Sequence, residues 1–327
     1  GNTIASSRCD FNTAVGRLSF AAGDGSPKTF TVLINEDSYV EGPESLLLTL
    51  SNLTGGAAFA SPATATLTIT DDDLAAPATN IIEDPSDFVR QHYHDFLNRE
   101  PDPAGLAFWT SQITSCGNDA ACIELKRINV SAAFFLSIEF QATGGSVYLT
   151  NKVAYGAMPT YLRFESDVQA IGRNYIFGQP GADNVLEANK VAYFKDYVSR
   201  SEFMNTYNGL SDHVYVNTLI SNTGVEFTQP ERDALLNGLA NHTETRATVL
   251  RKISEKPAFA QAEFNRMFVL MQYFGYLRRN PNEGQDTDYT GYDFWFSKLN
   301  RFNGNFIDAE MVRAFINSLE YRRRFGP

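Results

Sequence analysis

Two periods divide the chain. Near the start, apolar and polar residues alternate in Arg17-Leu-Ser-Phe20, Thr29-Phe-Thr-Val-Leu-Ile34, Ser45-Leu-Leu-Leu-Thr-Leu50 and Ala65-Thr-Leu-Thr-Ile-Thr70. A period of two places successive side chains on opposite faces of a strand. The runs are interrupted by Gly23-Asp-Gly25, Glu41-Gly-Pro43 and Gly55-Gly56, residues that suit turns. This spacing predicts an antiparallel sandwich, yet such sandwiches use about seven strands, and the polar opening Gly1–Asn12 adds only Ile4 and Phe11 as large apolar residues. Residues 1–74 are therefore expected to form an incomplete antiparallel β-sandwich with an open core and unpaired edges.

A linker is expected over 75–84, with Pro and small residues in Leu74–Asn80, and Asp84-Pro-Ser-Asp87 then reads as a helix start. From Phe88 the apolar spacing becomes helical: Phe88, Tyr93, Phe96 and Leu97 fall near one face. The turn Asn98–Gly105 leads to a second apolar face at Leu106, Trp109 and Ile113, and Cys122–Phe140 reads as a third helical stretch. The plan returns at the C-terminus. Phe268–Leu277 answers Phe88–Leu97, Arg278–Pro281 answers Asn98–Pro101, Gly291–Trp295 answers Gly105–Trp109, and Ser318-Leu-Glu-Tyr321 answers Ser137-Ile-Glu-Phe140. A more worn copy occupies the middle, giving units at about 85–203, 204–264 and 265–327 within the helical region 85–327. The paired landmarks Phe88 and Phe268, Trp109 and Trp295, Phe140 and Tyr321 read as core anchors that each unit rebuilds. The fold class is thus multidomain β + α, an incomplete sandwich followed by an all-α, repeat-containing domain.

Composition narrows the function. A formal charge of −11 disfavours nucleic acid as a partner, and no apolar run reaches the length of a membrane-spanning helix. Cys116 and Cys122 lie in one polar loop at a spacing that can close a small disulfide if the chain is exported; unpaired thiols are the alternative, and Cys9 is left over. His92 and His94, two apart, point different ways on a helix and read as polar surface residues, while His213 and His242 are isolated. No metalloprotease motif, phosphate-cradling loop or nucleophile elbow occurs. The basic clusters Arg278-Arg279 and Arg322–Arg324 read as helix-end charges, or as contacts to an acidic surface on a neighbouring copy. Asn98, Glu100 and Asp102 alternate in a tight loop, which suits either turn caps or an ion.

The N-terminal pieces Cys9–Phe20, Lys28–Ile34, Glu36–Glu44 and Ile69-Thr-Asp-Asp-Asp73 resemble the Calx-beta family of β modules. The resemblance implies that acidic residues at one end of the sandwich coordinate calcium. On this chain they are Asp10, Glu36, Asp37, Glu41, Asp71, Asp72 and Asp73. Physical chemistry agrees, since calcium takes about six to eight oxygens and such a cluster repels itself without a cation. Solvated acidic loops with no ion are the alternative. The helical landmarks, above all Phe96-Leu-Asn-Arg-Glu-Pro-Asp-Pro-Ala-Gly-Leu-Ala-Phe-Trp109 and Ser137–Phe140, resemble DUF4214, a helical family of unassigned function in bacterial surface proteins. The order of the two resembles exported proteins of acidobacteria.

These readings favour an extracellular or cell-surface structural protein that self-associates, as a filament or layer subunit, by completing the open sandwich. The completing strands are expected from copies of itself or from a cleaved N-terminal part of its precursor. The alternative is an adhesion or carbohydrate-binding module for cell-surface polysaccharide, with a calcium-stiffened β spacer; the third is an enzyme acting on extracellular polymers.

Overall fold

A computed structural model describes residues 3–53, 55–73 and 79–326. Of the expected linker 75–84, residues 75–78 lie outside the described residues, and Ile81–Glu83 form a 3-10 turn in which the Asn80 side chain caps the Ile82 N–H. Strands β1 (Thr3–Ile4), β2 (Glu44–Thr49) and β3 (Thr64–Ile69) form one sheet in the order β1-β2-β3. β2 and β3 pair antiparallel from Glu44↔Ile69 to Thr49↔Thr64, and the short β1 pairs with β2 in parallel. The runs Arg17–Phe20 and Thr29–Ile34, expected as strands, carry no strand pairing beyond a single bridge from Phe11 to Ile34. The reason is physical: a strand needs a neighbour for its N–H and C=O groups, and among the described residues none pairs with these two runs beyond the bridge at Phe11 and the bond from the Asn12 N–H to the Leu33 carbonyl. Among the described residues of 3–73 only Ala5, Leu33 and Leu46 are buried apolar residues, whereas Phe20, Phe30, Leu47 and Leu50 are exposed. The β region is an incomplete sandwich without a core of its own.

The hydrophobic core runs instead through the helical region, from Ile82 to Phe325. Helix α1 (Pro85–His92) starts where the Asp84 carboxylate accepts the N–H groups of Ser86 and Asp87. It passes into a wider π-helical turn, Tyr93–Leu97, which stops at Asn98 in the left-handed region at φ 51°. The Asp102 carboxylate accepts the Gly105 N–H and starts α2 (Pro103–Thr114), and α3 (Ala120–Leu136) follows. The C-terminal unit repeats each step. Helix Pro257–Met271 passes into a π-helical turn, Gln272–Leu277, which stops at Arg278 with φ 50°.

The repeated landmarks are repeated because they bond to one another. Arg99 forks onto Glu139 at 2.6 and 2.9 Å, and Arg279 onto Glu320 at 2.7 and 3.0 Å. Each guanidinium lies over a ring, Arg99 over Tyr93 and Arg279 over Tyr273. Each ring meets a second edge-on, Phe134 in one unit and Phe315 in the other, and Trp109 and Trp295 pack on those phenylalanines at 5.7 Å. Gly105 must lack a side chain because a Cβ would collide with the Tyr93 hydroxyl, and Gly291 stands likewise against Tyr273. Ser137 and Ser318 accept the N–H groups of Phe140 and Tyr321, which orients the clasp glutamate between them. A third clasp, Arg163 to Glu202, marks the middle of the chain. Phe88, Phe140, Phe268 and Tyr321 are buried, while Trp109 and Trp295 are partly buried against the core.

The two outer units meet through their π-helical turns, and the β region closes over the join. Asp95, fully buried, receives Arg278 (Nε 3.1 Å, Nη2 2.9 Å) and Arg324 (Nη2 2.9 Å). Burial alone would raise its pKa, but the two guanidiniums outweigh that and hold the carboxyl below its ordinary range. The same arginines reach into the β region. Arg278 donates to the carbonyls of Phe11 (3.0 Å) and Ser7 (3.3 Å) and to the Asn12 side chain, and Arg324 donates to the Arg8 carbonyl at 2.9 Å. Arg278, Arg279 and Arg324 are therefore buried internal pairs, whereas Arg322 is half-buried and Arg323 exposed.

Removing one partner of a buried ion pair strands the other charge, at a cost of about 3–5 kcal/mol. Asp95→Asn is therefore expected to lower stability by that order, measured by urea denaturation. A loss below about 1 kcal/mol, the range of an exposed pair, would contradict the assignment.

Candidate functional site

The acidic residues converge. Loops 6–12 and 34–42, the start of β2 and the residues after β3 close around a small pocket of about 80 Å³. Asp10, Glu36, Asp37, Glu41, Asp71, Asp72 and Asp73 all line it, together with Asn35, Tyr39 and Glu44. One carboxylate oxygen from each of Asp10, Glu41 and Glu44 lies within 4.8 Å of the others. The remaining acids line the same pocket outside this inner group. Glu44 was not among the expected ligands. Its signal was available in the sequence, because it opens β2 directly after the Gly42-Pro43 turn and so faces the same end of the sheet as Glu41.

Hydrogen bonds hold the loops in place. The Asp71 carboxylate accepts the N–H groups of Glu41 (2.8 Å), Gly42 (2.6 Å) and Asp73 (2.9 Å), and this holds its pKa below the ordinary range. Asp37 accepts the Tyr39 N–H at 2.8 Å, and Asp10 accepts that of Ser6. Other acids are strained by proximity. Burial, then the charges of Glu41, Asp10 and Asp73, pushes Asp37 up to about 7 against the bond from Tyr39. Burial and neighbouring carboxylates likewise raise Glu36, Glu41 and Asp73. A pocket whose acids resist ionising gains from positive charge, and an all-oxygen donor set suits a hard cation such as calcium. Asp10, Glu41 and Glu44 are the residues that would hold it. The cation would supply charge neutralisation and a tie between loops, with no reactive chemistry.

The other candidates resolve differently. Cys116 and Cys122 form a disulfide, with Cα atoms 5.6 Å apart, and Cys9 is a free thiol. His92 and His94 are buried, contrary to a surface placement, because the helix face they occupy is covered by α3, by the C-terminal unit and by the β region. His92 donates Nδ1–H to the Phe88 carbonyl (2.6 Å) and takes the Ser131 hydroxyl at Nε2 (2.5 Å). Burial pushes its pKa down to about 4, which leaves a neutral imidazole sealed from substrate. His94 sits between Asn35 Oδ1 (3.1 Å) and Glu100 (2.9 Å). In the Asn98–Asp102 loop, Glu100 thus bonds a histidine and Asp102 caps α2, so the turn-cap reading describes these side chains.

The raised pKa of Asp37 has a signed consequence. The folded chain binds this proton more tightly than the unfolded chain, so the contribution is complete below 3.8 and lost as pH rises through about 7. In chelator-treated protein, Asp37→Asn should therefore match the parent at about pH 3 and exceed it in melting temperature at about pH 8. An equal difference at both pH values would refute the strain.

Residues 3–73 match the Calx-beta domain family and residues 79–144 match the domain of unknown function DUF4214. The second match stops short of the C-terminal unit, whose landmarks recur from Phe268 to Tyr321. No curated protein and no solved structure matches the chain. The chain therefore joins a Calx-beta domain to a DUF4214 domain, in that order.

Proposed function

We propose that this chain is a structural module of an exported, cell-surface protein that self-associates by completing its β region between copies. One observation carries the reading. The runs 17–20 and 29–33 have almost no main-chain partners, and Leu18, Thr29, Phe30, Thr31 and Leu33 from them lie along one wall of a cleft of about 570 Å³. Leu18, Phe30, Leu33 and Leu50 line that wall, and Val168, Gln169 and Tyr175 line the helical side. Apolar side chains beside unpaired N–H and C=O groups make a surface suited to an added strand. The disulfide fits an oxidising compartment. Calcium at the acidic pole stiffens the module.

A second reading, an adhesion module for cell-surface polysaccharide, has its own observation. Phe108 and Phe294 hold equivalent positions beside the two tryptophans, and each is more than half exposed (55% and 57%). Rings repeated on the surface can stack on sugar faces, and loss of glycan binding in Phe108→Ala and Phe294→Ala would identify that role.

Sedimentation over a range of concentrations tests self-association. Phe30→Asp combined with Leu18→Asp should weaken it by at least about tenfold without changing helical content. A parent chain that stays a monodisperse monomer at every concentration overturns the proposal.

A further inference from the structure

Residues 10–35 begin as an antiparallel hairpin and then come apart. At the base Phe11 bridges Ile34, the Asn12 N–H donates to the Leu33 carbonyl (2.8 Å) and the Asn35 N–H to the Asp10 carbonyl (2.9 Å). Continued at this register, Ala14 would face Thr31 and Gly16 would face Thr29, each as a hydrogen-bonded pair. None of these bonds forms. The N–H and C=O groups of Ala14, Gly16, Thr29 and Thr31 have no partner among the described residues, and all of these residues line the cleft of about 570 Å³. The other edge of the first arm is occupied. Main-chain groups of a strand alternate between its edges, so Asn12, Ala14 and Gly16 point inward, toward the second arm, and Thr13, Val15 and Arg17 outward. Gln169 donates Nε2–H to the outward Thr13 carbonyl (2.7 Å) and takes the Val15 N–H at Oε1 (3.2 Å), and Arg173 donates to the Arg17 carbonyl (3.1 Å). One side-chain amide thus makes the two bonds that a neighbouring strand would make. The Arg17 side chain adds an ion pair with Asp196. Gln169 and Arg173 are themselves fixed. They stand at the end of the helix Tyr161–Gly172, which buries Phe164, Val168 and Ile171 in the core, and Asn189 binds the carbonyls of Ile171 (2.9 Å) and Arg173 (2.7 Å).

We propose that this helix end is a prop: Gln169 and Arg173 hold arm 13–17 away from arm 29–33 and so keep the inner edges of both free for a strand from another copy. The proposal rests on the reading that the chain self-associates through this cleft. The two arms are tethered at their base, and closing them on each other costs far less freedom than capturing a strand from another chain. Released, the arms would pair Ala14 with Thr31 and Gly16 with Thr29, and the cleft would lose its acceptor edges. The prop decides between these two pairings. It also fixes the side of entry: the outer edge of 13–17 is taken by Gln169 and Arg173, so an added strand meets that arm at its inner edge.

Hydrogen exchange of the whole chain, at a dilution where sedimentation finds it monomeric, reads the prop by itself. In the parent the amides of Ala14, Gly16, Thr29 and Thr31 should exchange freely. Gln169→Ala combined with Arg173→Ala should slow them by about tenfold or more as the arms close. In sedimentation the same variant should self-associate at least about tenfold more weakly than the parent. A general loss of structure would speed exchange, so unchanged or faster exchange in the variant overturns the prop. So does a parent in which these amides are already protected. Slowed exchange with self-association undiminished overturns the acceptor role. A parent that never self-associates overturns the reading beneath it, while slowed exchange in the variant still establishes the prop. Gln169 is half-buried and Arg173 exposed. Should the pair of substitutions fail to fold, Arg173→Ala alone must slow the same amides.

Discussion

A single carboxylate holds the join. Asp95 is fully enclosed, and an unpaired charge there would be strongly unfavourable. It is tolerated because Arg278 and Arg324 arrive from the far end of the sequence and bond it together. Their remaining donors are directed at backbone carbonyls on both sides: Gly275 and Tyr276 in the helices, Ser7, Arg8 and Phe11 in the β region. Guanidinium geometry makes this possible, since its five donors lie in one rigid fork and can bind several acceptors at fixed angles. The first unit, the last unit and the β region are registered by the same few hydrogen bonds.

Much of this organisation was legible in the residues. The change of apolar period after residue 73 marks the change from sheet to helix, and the landmarks around Trp109 and Trp295 reveal a duplication. What the landmarks do was not legible, because Arg99 and Glu139 lie in separate elements and only folding brings them together. The acidic pole was legible as a set of residues, since carboxylates in neighbouring turns of a β module converge at one end. Its inner geometry was not: which carboxylates approach one another, Asp10, Glu41 and Glu44, appears only in the fold.

Two expectations failed for instructive reasons. Alternation in Arg17–Phe20 and Thr29–Ile34 records the ability to be a strand, but strand formation is a property of a pair, and neither run is paired along its length among the described residues. The histidines read as surface groups because polarity usually means exposure, and Arg278 and Arg324 read as helix-end charges, which they are without being exposed there. A repeat that packs against its own copy needs polar contacts inside the join, and there His92, His94, Arg278 and Arg324 are buried. Sequence spacing holds no trace of that second surface.

The two π-helical turns align with Asp95 facing the place of Gly275, counted from Tyr93 and Tyr273. A side chain at Gly275 would strike the Phe96 ring, with its Cβ only 2.7 Å from the ring tip. The copies have therefore diverged into a plug and a socket, one supplying the charge and the other the room. An identical third unit could not join at that face, since the socket is filled and the plug engaged. The outer units are a closed pair: each has used, on the other, the face through which it could have joined a further copy of itself.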